Sequence, residues 1–136
     1  MGADITEFTS LFGATQEEIK PFTSSNNKNF NRIAALPYPS AVPINGFAMG
    51  GGLECALACD IRIASEKAKF AESFVKIGII PGDGGAWLLP RIIGLSRASE
   101  LAFTGDTIDA QQALAWNLVS RVVPHEQLME AARELA

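Results

Sequence analysis

Along most of the chain, apolar positions fall into short runs punctuated by glycine and proline. Ser40 to Phe47 reads as a buried strand, although Pro43 removes a ladder donor and points to an edge position or a bulge. Gly50-Gly51-Gly52 makes a turn, and Leu53 to Cys59 continues from it as an apolar helix. Asp60 to Ala64 alternates in the manner of a strand, and Ala68 to Ala71 forms a short extended piece. Gly78 to Gly85, with Pro81, is loop. Gly85 to Ile93 and Ser96 to Phe103 show helical spacing broken at Gly94. Asp109 to Ala115 is a further helix capped by Thr107 or Asp109. Leu118 to Val123 is a strand, and Pro124 opens a last helix to Ala136, with Leu128, Ala131, Ala132 and Leu135 on one side.

The first part of the chain is patterned more weakly. Met1 to Ala14 reads as a strand exit and loop. Thr15-Gln16-Glu17-Glu18 has the form of a helix start, interrupted at Pro21. Phe30, Ile33, Ala34 and Leu36 then predict a helix over Asn27 to Leu36, ended by Pro37 and Pro39. Strands alternating with helices predict an α/β fold. No strand precedes the one ending near Phe47, and the chain stops inside an amphipathic helix. Residues 1–136 are therefore expected to form part of a larger domain.

Composition narrows the classes. The 136 residues are 48% apolar and 19% charged, with mean hydropathy +0.16, which suits one globular domain and excludes intrinsic disorder. The apolar stretches are too short to cross a bilayer, so no membrane partner is expected, and no basic-then-apolar opening suggests a secretory signal. A net charge of −4 and a pI near 4.9 argue against a broad nucleic-acid footprint, although a small anionic ligand needs only a few local donors. Cys55 and Cys59, four apart in an Ala/Leu-rich run, are expected to be small buried apolar side chains. No second Cys/His pair accompanies them, so no metal site is expected, and free thiols suit a reducing cytoplasm. His125, the sole histidine, is expected at the surface or as a cap.

The stretch richest in chemistry is Asn45-Gly46-Phe47-Ala48-Met49-Gly50-Gly51-Gly52-Leu53-Glu54, where a strand enters three glycines and passes directly into a helix. Amide N–H groups at such a helix start are aimed at whatever lies above the turn, a place for an anion or for an oxygen that gains negative charge. Glu54 follows Gly51 by three residues, so it returns to nearly the same face. An oxyanion donor beside a general base is the arrangement needed to remove a proton α to a carbonyl. The same residues also suit a plain βα turn with an ordinary glutamate. The spacing is neither G-x-G-x-x-G nor that of a P-loop, which makes a nucleotide-phosphate cradle the poorer functional reading.

Four blocks resemble the enoyl-CoA hydratase/isomerase (crotonase) family in order and spacing. They are Gly2-Ala3-Asp4-Ile5, Asn45 to Glu54, Cys59 to Ser65, and Gly78-Ile79-Ile80-Pro81-Gly82-Asp83-Gly84-Gly85. Leu101 to Asp106, Ala110 to Ala113 and Trp116 to Val119 also resemble it. The resemblance implies a crotonase-like spiral of ββα turns, incomplete at both ends, with an acyl-CoA thioester as substrate, no separate cofactor, and a homotrimer or dimer of trimers. It implies that the N–H groups of Ala3 and Gly51 grip the thioester oxygen, and that Ala3, Asp4 and Ile5 lie along the CoA adenine. Family hydratases use two glutamates. Glu54 falls on the first, but Phe74 stands at the second position and can neither orient water nor move a proton. Asp83 is the expected second acid, unless it only caps the helix after Gly84. Glu72 is a further candidate that reads more simply as a surface charge. Trp87 is expected in the core. Lys67, Lys69 and Lys76 are expected to be solvated, and Arg91 and Arg97, flanking Gly94, to serve a contact between subunits.

Overall fold

The computed structural model describes residues 13–135. Among the described residues the first element, α1 (Gln16–Ala34), is one continuous helix. The Thr15 backbone N–H donates to Glu18 Oε2 at 2.8 Å, so the helix starts where Thr15 and Glu18 predict. Pro21 does not interrupt it. Proline removes one rung of the ladder, and Glu17, whose carbonyl it frees, is exposed, so that carbonyl is not trapped without solvent.

The stretch expected as one strand over 40–47 is two. β1 (Ala41–Ile44) and β2 (Phe47–Met49) are separated at Asn45-Gly46 and enter different sheets. Among the described residues one sheet has the order β1-β3-β6, all parallel, with β3 at Ile61–Ser65 and β6 at Arg121–Val123. Among the described residues, Pro43 accordingly sits on an edge strand. In the other sheet β2 pairs in parallel with β4 (Lys69–Ala71), which pairs antiparallel with β5 (Ile108–Asp109). The break places Ile44 and Ala48 in different sheets, and both enter the main core.

α2 (Gly51–Leu57) crosses from the second sheet back to the first. It buries Leu53, Glu54, Ala56 and Leu57, so Cys55 points away and is exposed, and Cys59, just past the helix, is half-buried. Both thiols are free, as expected, but their exposure corrects the expectation that they pack inside. The Arg62 guanidinium closes the C-terminal end of α2. Its Nη1 donates to Cys59 O at 2.6 Å and its Nε to Leu118 O at 2.8 Å. Those carbonyls have no helical partner and would otherwise be stranded.

A 3-10 turn (Ser73–Ile77) leads through a loop to α3 (Gly85–Ile93) and α4 (Leu95–Thr104), hinged at Gly94. α5 (Ala110–Ala115) starts at Asp109, whose Oδ1 accepts the Gln112 N–H at 2.8 Å. After Leu118-Val119, β6 begins three residues later than expected, because 118–120 turn before they pair. α6 (Leu128–Leu135) follows a short 3-10 turn and packs on β1 and β3. The main core joins Leu53, Leu57, Phe70, Leu89, Leu101 and Leu118, while Ile63, Leu128 and Ala132 form a second cluster beneath α6.

Two further expectations change. Trp87 is not in the core: it is 64% exposed, with the Arg91 guanidinium 3.1 Å above its ring, because α3 turns Leu89 and Ile93 inward instead. Arg97 stacks over the Trp116 ring at 5.4 Å. His125 is neither free at the surface nor a simple cap. Its Nδ1 lies 3.0 Å from the hydroxyl of the fully buried Ser65, which ties the start of the last helical segment to the end of β3.

Candidate active site

The triple glycine forms the turn that the sequence predicts. Gly50 takes φ 49°, ψ −120°, a conformation that favours glycine, and its N–H donates to Ala71 O at 2.9 Å. A side chain there would also press on Phe74, whose Cζ would stand 3.4 Å from an added Cβ. Gly51 is the first residue of α2, so its N–H is among those no carbonyl of the helix can take. Phe74, at the position where the family pattern has its second glutamate, is buried with its ring against this turn.

Glu54 is one helical turn on and fully buried. Its carboxylate does not face open solvent. Oε1 accepts the Gly85 N–H at 2.7 Å and Oε2 accepts the Asp83 N–H at 2.9 Å. Burial raises its pKa, and the two amide donors oppose that rise by favouring the anion. The loop and helix that carry Asp83 and Gly85 are thus fastened to the helix carrying Glu54.

Asp83 meets Glu54 through its backbone. Its side chain makes no cap on α3, where Gly84 is the N-cap residue at φ 114°. The half-buried carboxyl of Asp83 has a pKa raised by burial. Ala3, Asp4 and Ile5 lie outside the described residues.

Glu72 is the residue whose place the pattern hid. It is 1% exposed, not a surface charge, and neither carboxyl oxygen has a hydrogen-bond partner. Burial, and then the nearby Glu54, push its pKa up to about 8. A signal existed. Glu72 follows the fully buried Phe70 by two residues, so an extended chain keeps both on one side. Gly85 lies between the two acids: a Cβ added there would overlap Glu54 Oε1 and stand 2.7 Å from Glu72 Oε1. Glu72 and Gly85 both border a largely apolar cavity of about 350 Å³ between α3 and α4, lined also by Leu89, Ala98 and Phe103.

A glycine turn opening a helix, a buried glutamate one turn later and a glycine-rich loop bonded to that glutamate define an α/β protein built to keep a carboxylate dry beside backbone donors. Comparison with known proteins places it further. The family model described as enoyl-CoA hydratase/isomerase matches residues 1–136, and the chain belongs to that family. A solved enoyl-CoA hydratase from Bacillus anthracis is 42% identical, with TM-score 0.86 over 92% of this chain and 48% of that one. An enoyl-CoA hydratase/isomerase from Cupriavidus metallidurans CH34 is 30% identical, with TM-score 0.93 over 98% of this chain and 51% of that one. The fold is therefore the crotonase-like α/β core expected from the four blocks, and the chain spans about half the length of these solved relatives. Among the described residues, no helix is long and apolar enough to cross a membrane.

Proposed function

We propose that this chain carries part of the active centre of an enzyme acting on acyl-CoA thioesters, of enoyl-CoA hydratase/isomerase type. The observation that carries the reading is the unit Gly50 to Glu54, a helix start with unclaimed N–H groups and a buried glutamate one turn away. In this reading the amides of Gly51 and Ala3 hold the thioester oxygen. A C–H bond α to the carbonyl breaks, its proton passes to Glu54, and its electron pair moves onto that oxygen as an enolate. Donors placed where charge develops are worth a few kcal/mol of barrier each, about 2.7–4 for one oxyanion-hole group. Ala3, Asp4 and Ile5 run along the CoA adenine. Asp83 positions Glu54 through its N–H, and its carboxyl is the candidate second acid. A homotrimeric or double-trimeric assembly and a cytoplasmic setting in fatty-acid metabolism belong to the same reading.

Double-bond isomerisation is favoured over hydration by Phe74. Hydration needs a water held by a second carboxylate, and the apolar Phe74 ring lies against the glycine turn at that position. In isomerisation Glu54 returns the proton at another carbon and no water enters. The test is turnover of a short 2-enoyl-CoA and a 3-enoyl-CoA by the parent and by Glu54→Gln. A shifted double bond, lost at least about a hundredfold in the variant, supports general acid–base work by Glu54. Formation of a 3-hydroxyacyl-CoA would replace isomerisation with hydration. Equal turnover by parent and variant would reduce Glu54 to a structural residue.

A further inference from the structure

Glu54 and Glu72 are two carboxyls on either side of one glycine, with opposite surroundings. Glu54 accepts two backbone N–H bonds, which stabilise a negative charge. Glu72 accepts none, is 1% exposed, and adjoins the apolar cavity between α3 and α4. An isolated buried carboxylate without donors is costly, and a second anion beside Glu54 adds repulsion. The groups facing Glu72 are few. α2 presents Glu54, and the loop before α3 brings Asp83 beside Glu54. α3 and α4 line the cavity with residues such as Leu89, Pro90, Ala98 and Ser99. Among the described residues lining that cavity, Glu72 is the ionisable one.

We propose that Glu72 is the neutral partner of Glu54, the two carboxyls holding a single proton across Gly85, so that Glu54 rests as the anion. This rests on the reading of Glu54 as the proton-transfer group. Glu72 is then a positioning residue: it touches no reacting atom, but its proton keeps Glu54 from facing a second charge. The raised pKa of Glu72 fits this assignment.

The sign of the pH effect follows. Below the ordinary glutamate value, Glu72 is protonated in the folded and the unfolded chain alike. As pH rises towards about 8, the unfolded chain loses that proton while the folded chain retains it, so this stabilising contribution is progressively lost. Gln at position 72 keeps the neutral shape and cannot titrate. The experiment is urea unfolding of the parent and Glu72→Gln across pH 4 to 9. The ratio of parent to variant unfolding constants should rise with pH, approaching about tenfold per unit between roughly pH 5 and 8. A ratio independent of pH overturns the proposal. A ¹³C-carboxyl NMR titration of the parent chain gives a second readout should Glu72→Gln fail to fold. A glutamate signal still protonated at pH 7 supports the assignment, and ionisation of every glutamate below pH 7 overturns it. Neither measurement uses turnover. A chain inactive on enoyl-CoA therefore leaves the proton-sharing pair standing or falling on its own, and a pH-independent ratio in an active enzyme removes the pair but not the activity. In an active enzyme, Glu72→Gln should also abolish any transition near pH 8 in the kcat profile that the parent shows.

Discussion

Replacing Gly85 by alanine tests the central packing of the site. The backbone of Gly85 does not require glycine: it lies in ordinary helical space at the first position of α3. Alanine at a helical position would by itself gain about 0.5–1 kcal/mol. The added Cβ, however, would overlap Glu54 Oε1 and stand 2.7 Å from Glu72 Oε1. Both carboxyls are fully enclosed, so neither can swing into solvent. Relief must come from a shift of α3 or of Glu54, and a shift of Glu54 strains its 2.7 Å bond to the Gly85 N–H. Overpacking costs about 1–3 kcal/mol, and a hydrogen bond to a charged group is worth about 1.5–3. Set against the helical gain, Gly85→Ala should destabilise the chain by about 2–4 kcal/mol. The measurement is urea unfolding of the full chain, with Gly82→Ala as the control. A Cβ at Gly82 would meet only Ile80 O, at 3.9 Å, so that variant should stay within about 0.5 kcal/mol of the parent. Equal stability of Gly85→Ala and the parent would refute the claim that the two acids converge on this glycine.

Two further substitutions test the frame around the site. Arg62→Met keeps the side-chain length but strands the carbonyls of Cys59 and Leu118, and should cost about 2–3 kcal/mol by chemical denaturation, with the loss unrelieved by salt because it is not an ion pair. Asp109→Ala removes the side-chain cap on Gln112 and should cost about 1 kcal/mol, whereas Asp109→Asn should restore most of it.

Much of the architecture is legible in local chemistry. The Gly50 turn, the break at Gly94 and the Asp109 cap depend on what one or two residues can do with their own backbone, and each stands where the pattern puts it. Pro21 shows the limit of that logic. A helix-breaking residue is tolerated where its freed carbonyl is exposed, and exposure is not a local property. Trp87, Cys55 and Glu72 show the same limit more sharply. Apolar character suggests that the first two lie inside and charge suggests that the third lies outside, yet all three are reversed. α3 has more large apolar side chains than one face can bury, and Leu89 and Ile93 take it. Glu72 is carried inside because it directly follows β4, whose Phe70 and Ala71 are buried.

The amino-acid order alone determined that strands alternate with helices, that a glycine turn launches a helix with Glu54 one turn in, and that four spaced blocks resemble one family. These follow from φ/ψ limits and side-chain periodicity, which act over a few residues. Only the tertiary structure decided that the 40–47 stretch divides between two sheets, that the Asp83 backbone rather than its carboxyl reaches Glu54, and that Glu72 comes to lie across Gly85 from it. Those outcomes depend on which segments of a folded chain exclude water from one another, a competition over the whole core that no local pattern records.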